Sequence, residues 1–341
     1  MIRYIWNAPF KDLKDRLELI GRRIGADLAE KQYDVVIDPI ETMPQLMPMG
    51  EADNWAYKAM GADKVEDYLR KNAKQRVKVY IFDTAGQYDH SWLKSLKGRD
   101  FTGGGVADVD GHGTHVAGSY IGVGDFNIGL CKVLVEKNLI GVIPVKVLHK
   151  NVGTQYGINS GISWAISDSK KYIDRGECVI FSFSLGGGTS RWARTEELLK
   201  KAKDLGIISV AASGNTYRRG VNYPGCSEYT LGVASLSKGN VRSAYSTYGP
   251  QVYVSAPGDG ILSTYLADTF EVLSGTSMAT PHIGATIALY ASVKQDFKEL
   301  LKRLPEASLD LGRKGRDEYY GFGGTLIPEL LGYDANISSN I

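Results

Sequence analysis

The chain is marked by short apolar runs separated by longer stretches of helical periodicity. Residues 76–82, 142–148, 178–183, 206–212, 230–236 and 252–258 are each rich in Val, Ile, Ala and aromatics. Runs of this length and character predict strands covered on both faces. Between them, residues 156–172 carry Ile158, Ile162, Ala165 and Ile166 on one helical face, and residues 195–205 predict a further helix. The apolar run 283–293 reads as a buried helix starting at or just before Ser277. Pro281 lacks an N–H, so it is expected within the first turn of that helix. No internal repeat or low-complexity linker interrupts the alternation. The pattern predicts an α/β fold, a doubly wound, mostly parallel sheet with helices on both faces.

The first forty-odd residues follow a separate pattern. Residues 2–6 read as a short strand and 33–40 as another. Between them Leu13, Leu17, Ile20, Ile24 and Leu28 recur at spacings of four, three, four and four, one face of an amphipathic helix. Such a β-α-β piece is too small to hold a core alone and must pack on something. Prolines at 44 and 48 oppose its continuation. The expected division is a segment 1–45 and a main domain 46–341.

Composition narrows the classes. At 341 residues, 43% hydrophobic and 23% charged, the chain can bury a large core. Forty Lys and Arg against 38 Asp and Glu leave a net charge of +2, which argues against nucleic acid or an anionic membrane as partner. No apolar run is long enough to span a bilayer, and the first residues lack the apolar core of a signal peptide. Cys131, Cys178 and Cys226 form no C-x-x-C pair and read as reduced packing residues. A cytoplasmic protein is expected, with virion packaging or export without a cleaved signal left open.

Five positions carry candidate chemistry. Ser277, among small residues at a helix start, has free backbone donors and the positive end of the helix dipole beside it, although an isolated serine there is usually an ordinary cap. Asp83 closes a strand at the end where parallel sheets place their sites. His112 and His115 stand three apart on an incipient helix; with no third ligand at zinc-enzyme spacing, a metal is weakly supported. Asn215 lies just beyond the run 206–212, in Ser213-Gly214-Asn215, where the simplest role is in a turn.

Gly275-Thr276-Ser277-Met278-Ala279-Thr280-Pro281-His282 resembles the nucleophile signature of the subtilisin-like serine proteases at every position. Asp110-Gly111-His112-Gly113-Thr114-His115 resembles the family's histidine motif. Asp83-Thr84-Ala85-Gly86 is similar to its aspartate motif, with Ala85 where glycine is usual. The order Asp, His, Ser is that of the family. The resemblance spans roughly residues 47–331, closing on Tyr319-Tyr320-Gly321-Phe322-Gly323. It implies a serine endopeptidase with Ser277 as nucleophile, His112 as general base, Asp83 orienting it, and Asn215 with the Ser277 N–H as oxyanion hole. Ser184, Leu185, Gly186, Ala212, Gly214 and Asn222 are implied to bind a protein or peptide substrate. Asn222, standing where many relatives have glycine, implies a shallower or more polar pocket for the P1 side chain, the one preceding the scissile bond. His115 becomes a structural neighbour.

Asp125 and Asn127 fall where many members hold a structural calcium, but the surrounding pattern matches poorly, so no metal is assigned and no cofactor is required. Met47-Pro48-Met49-Gly50 resembles the opening of the mature domain. By that resemblance residues 1–45 occupy the place of a pro-segment, short as in intracellular subtilisins, that covers the site as an intramolecular inhibitor and is cut near residues 44–46. A permanent cap is the competing reading of this segment. For the whole chain, the competing readings are a peptide ligase on the same residues and a non-catalytic binding protein of the same fold.

Overall fold

The computed structural model describes residues 54–86, 90–91, 93, 96–122, 127–294 and 296–333, together with the backbone of 34–36. Among them the main sheet runs in the order Ser308–Leu309, Gly324–Thr325, Val252–Pro257, Leu231–Ser237, Ile208–Ala212, Cys178–Phe183, Val77–Asp83, Ile140–Lys146, Arg99–Asp100. Every neighbouring pair on this path is parallel except the first. Val241–Arg242 adds an antiparallel pairing to Leu231–Ser237.

The unbroken apolar runs are explained by cover on both faces. In the strand Val77–Asp83, Val77, Val79 and Ile81 enter one core with Val116, Tyr120, Ile283 and Ile287, while Tyr80 and Phe82 enter the other with Ile158, Ile162 and Leu199. The first core lies under the helices His112–Ile121 and Thr276–Val293, the second under Gln155–Ile173 and Ala193–Asp204. This is the doubly wound arrangement expected. The strand Val77–Asp83 sits at its centre, with Ile140–Lys146 on one side and Cys178–Phe183 on the other. The chain leaves it toward the former and later crosses over to the latter, which makes its carboxyl end the switch point where such sheets bind ligands.

Most expected elements recur within a few residues. The helix expected over 156–172 spans Gln155–Ile173, with Thr154 capping it by accepting the Gly157 N–H, and its four named apolar residues are buried. The expectation for Pro281 is corrected. The helix Thr276–Val293 has Gly275 as its N-cap, so Pro281 is the sixth helical residue and lies in the second turn. Its missing N–H therefore leaves an interior carbonyl, that of Ser277, without its helical donor. The Ser184 hydroxyl donates to that carbonyl instead, at 2.8 Å, so the helix tolerates the proline there.

The expected strand 2–6 and helix 11–31 lie outside the described residues. Of the expected strand 33–40, the described part, Asp34–Val36, is a strand. It pairs antiparallel with Val152–Thr154, which pairs in turn with Leu148–His149. This three-stranded sheet rises beside the switch point, for the residue preceding it, Val147, donates its N–H to the Asp83 carbonyl at 2.9 Å.

Candidate active site

Asp83 is the last residue of its strand and is fully buried. Its Oδ1 accepts the Thr84 N–H and His112 Nδ1–H, both at 2.7 Å. The carboxylate thereby fixes the proton on Nδ1 and leaves Nε2 as the acceptor of the ring. That Nε2 is buried and has no hydrogen-bond partner among the described residues.

The His112 helix is pinned at its start from two sides. Asp108 accepts the N–H groups of Asp110 and Gly111 at 3.0 Å, and the N–H and hydroxyl of Thr114 at 2.9 and 2.7 Å. One side chain thus satisfies donors that a helix start leaves open. From the other side the Thr84 hydroxyl accepts the Gly113 N–H at 2.9 Å. A Cβ at Gly113 would stand 2.0 Å from the Ala85 carbonyl oxygen, so only glycine lets the helix approach this closely. Ala85 adopts φ 111°, a conformation L-residues rarely take, which accounts for glycine being usual there.

Burial alone would push the His112 imidazole down. The charge and hydrogen bond of Asp83, with added charge from Asp108 and Asp110, outweigh it and hold His112 above its ordinary value of 6.5. His115 behaves oppositely. It donates Nε2–H to the Ile261 and Glu271 carbonyls at 3.0 and 3.1 Å, and burial, with His112 nearby, pushes it down to about 3. Its ring ties the helix to the hairpin Ile261–Tyr265 and Thr269–Leu273.

Ser277 is the second residue of its helix. Its hydroxyl donates to the Ser184 carbonyl at 3.1 Å. Asn215 is fixed through its oxygen, which accepts both the N–H and the hydroxyl of Thr276 at 2.9 Å, while the Thr276 hydroxyl accepts the Gly214 N–H at 3.1 Å. With its oxygen held this way, the Asn215 amide keeps its NH2 end as a donor on the Gly275 side, one residue from the Thr276–Ser277 pair.

Beside Ser277 the main chain after two adjacent strands forms a slot. Asn222 lies across it. A Cβ at Gly186 would meet the Asn222 Cβ at 3.1 Å, and one at Gly214 would meet Asn222 Nδ2 at 2.6 Å. The Asn222 N–H donates to the Ser213 carbonyl and the Gly187 N–H to the Tyr223 carbonyl, both at 2.9 Å. Ala212 is buried at the foot of the second strand. Leu185 joins the core beneath the slot, so its part at the edge is main chain.

Among the described residues no group of three or more His, Cys, Asp or Glu side chains could hold a metal ion. Asp125 lies outside the described residues. Near Asn127, the Ile128 carbonyl accepts from the Asn54 amide at 2.9 Å.

The site thus has a buried Asp–His pair at the switch point of a parallel sheet, a serine at a helix start tied to the end of the adjacent strand Cys178–Phe183, and an asparagine amide fixed by the residue before that serine. Residues 74–323 match the model of the subtilase family, so the chain belongs to that family and is a serine endopeptidase. It is 35% identical over 338 residues to a thermostable alkaline protease of Halalkalibacterium halodurans, covering 89% of each chain. It is 34% identical over 271 residues to subtilisin DY of Bacillus licheniformis, covering 77% of this chain and 92% of that one. The crystal structure of a lanthipeptide protease shares the fold, with a TM-score of 0.68 at 22% identity over 82% of this chain and 94% of that one.

Sequence reasoning passed over Asp108, Thr84, Thr276 and the Ser184 hydroxyl. The signal for Asp108 was present, since an acid shortly before a helix start is a capping pattern. The others act across long sequence separations and left no local mark.

Proposed function

We propose that Asp83, His112 and Ser277 act as a triad that hydrolyses peptide bonds through an acyl-enzyme. The 2.7 Å bond between Asp83 Oδ1 and His112 Nδ1 carries this reading, because it leaves Nε2 as the base. Ser277 Oγ attacks the scissile carbonyl while His112 Nε2 takes its proton, and Asp83 steadies the imidazolium that results. The Asn215 NH2 and the Ser277 N–H hold the oxyanion. His112 then protonates the leaving amine, and water, deprotonated by the same nitrogen, releases the acid. The chemistry draws on no cofactor. Main chain at 184–186 pairs with the substrate backbone as an added strand, Ala212 and Gly214 form the facing wall, and Asn222 shortens the slot for the P1 side chain.

We also propose that the chain is made as a self-inhibited precursor, with residues 1–45 as its inhibitor. In support, Asp34–Val36 extends the sheet that rises beside Asp83. Asp34 pairs with Thr154, two residues before Tyr156, which lines a trough of about 670 Å³ together with Arg99, Phe101, Trp164 and Arg194 among others. The three cysteines are buried free thiols, which fits a cytoplasmic site of synthesis.

Labelling with a fluorophosphonate, with intact mass read in parallel, tests both readings. Labelling lost in Ser277→Ala is expected, and its appearance only after mass loss near residue 45 supports the precursor. Absence of labelling even after removal of the segment overturns the triad; a fully active chain still carrying Met1 overturns the precursor.

A further inference from the structure

Ser184 and Ser277, 93 residues apart, exchange hydrogen bonds. The Ser184 hydroxyl donates to the Ser277 carbonyl at 2.8 Å, and the Ser277 hydroxyl donates to the Ser184 carbonyl at 3.1 Å. Both residues are buried. In a regular helix the carbonyl of residue 277 would accept the N–H of residue 281. Pro281 has none, so the main chain of Ser277 is open to a donor from outside its own helix.

We propose that Ser184 is a positioning residue for the nucleophile: its hydroxyl replaces the N–H that Pro281 lacks and ties Ser277 to the end of the strand Cys178–Phe183. The proposal rests on the triad reading above. Ser184 is the residue immediately after that strand, so the tie sets the helix start against the sheet rather than against the next helical turn. The reciprocal bond has its own consequence. With its proton on the Ser184 carbonyl, Ser277 is parked, while His112 Nε2 has no hydrogen-bond partner among the described residues. To react, Ser277 Oγ leaves the Ser184 carbonyl and turns to His112. The main-chain tie holds Cα in place while the side chain turns, so the Ser184 hydroxyl governs turnover rather than substrate affinity.

The pairing with Pro281 makes the idea testable by rescue. In Ser184→Ala, kcat is expected to fall about 10- to 100-fold, the scale of small misplacements of a reacting group, with KM changed less than about twofold. Adding Pro281→Ala supplies an N–H at the helical position facing the Ser277 carbonyl, and the double variant is expected to regain most of the lost kcat. Melting temperatures in a Ser277→Ala background report folding separately. An unchanged kcat in Ser184→Ala overturns the proposal, and so does a folded double variant no faster than the single one. If Ser184→Ala does not fold, the double variant is compared with Pro281→Ala alone, and a difference in kcat beyond about 10-fold after the N–H is restored overturns the tie as the source of the effect. Fluorophosphonate labelling separates the levels. Labelling that survives Ser277→Ala removes the triad reading itself, whereas labelling that requires Ser277 at a rate indifferent to Ser184 removes only the tie.

Discussion

Gly113→Ala is the sharpest perturbation of the contact between Asp83 and His112. The new Cβ would stand 2.0 Å from the Ala85 oxygen and 2.9 Å from its carbonyl carbon. Ordinary contact needs about 3.5 Å, so the two segments must part by roughly 1.5 Å. The obstacle is main chain and cannot rotate away. It lies two residues from Asp83, and Gly113 follows His112 directly. A shift of that size stretches the 2.7 Å Asp83–His112 bond beyond hydrogen-bond range.

Overpacking of this kind costs about 1–3 kcal/mol, and a buried carboxylate losing its partner adds about 1.5–3 kcal/mol. The better helix propensity of alanine returns about 1 kcal/mol. The net loss is about 1.5–5 kcal/mol, or roughly 3–9 °C in melting temperature. With the imidazole no longer oriented, kcat/KM on a chromogenic peptide is expected to drop about 10²- to 10⁴-fold. Melting is measured in a Ser277→Ala background, which prevents self-digestion. Gly86→Ala, one residue beyond Ala85, is the control. Among the described residues its Cβ would meet only Pro144 Cγ, at 3.4 Å, so it should stay within about 0.5 kcal/mol of the parent. A Gly113→Ala enzyme matching wild type in both measurements would refute the argument that the close approach holds the pair together.

Further outcomes are expected. His112 must be neutral to accept a proton, and its value lies above 6.5, so kcat/KM should rise along an acid limb centred above pH 6.5. Asp108→Asn removes one of the charges that raise it and should move the limb to lower pH; a limb that stays put would remove Asp108 from the causes of the elevation. The same shift contributes stability present below pH 6.5 and lost as pH rises through the folded value, because the folded state holds the proton more tightly. Asn222→Gly should open the slot between Gly186 and Gly214 and raise kcat/KM for substrates with large aromatic P1 residues about tenfold or more relative to alanine. Unchanged selectivity on a P1 peptide series would place the P1 pocket elsewhere.

The sequence by itself determined the sheet and its layers, because strands covered on both faces must be apolar at nearly every position. Cys178–Phe183 matches its apolar run residue for residue, and the helix Thr276–Val293 starts where the small residues before Ser277 end. The family was legible too, since the motifs that resemble it, around Asp83, His112 and Ser277, are compact and local. Only the tertiary structure decided how those motifs are held. The tie from Ser184 to Ser277, the seat of Asn222 between two glycines, the carbonyls that claim His115 and the approach of Gly113 to Ala85 join segments distant in sequence. Pro281 shows the difference most plainly. Taken locally, a proline belongs in a first turn. Folded, it sits in the second, because a hydroxyl brought from beyond the end of the strand Cys178–Phe183 supplies the donor it lacks. Local pattern records whether a residue is buried and how the backbone repeats; which groups satisfy one another is settled only when the chain closes on itself.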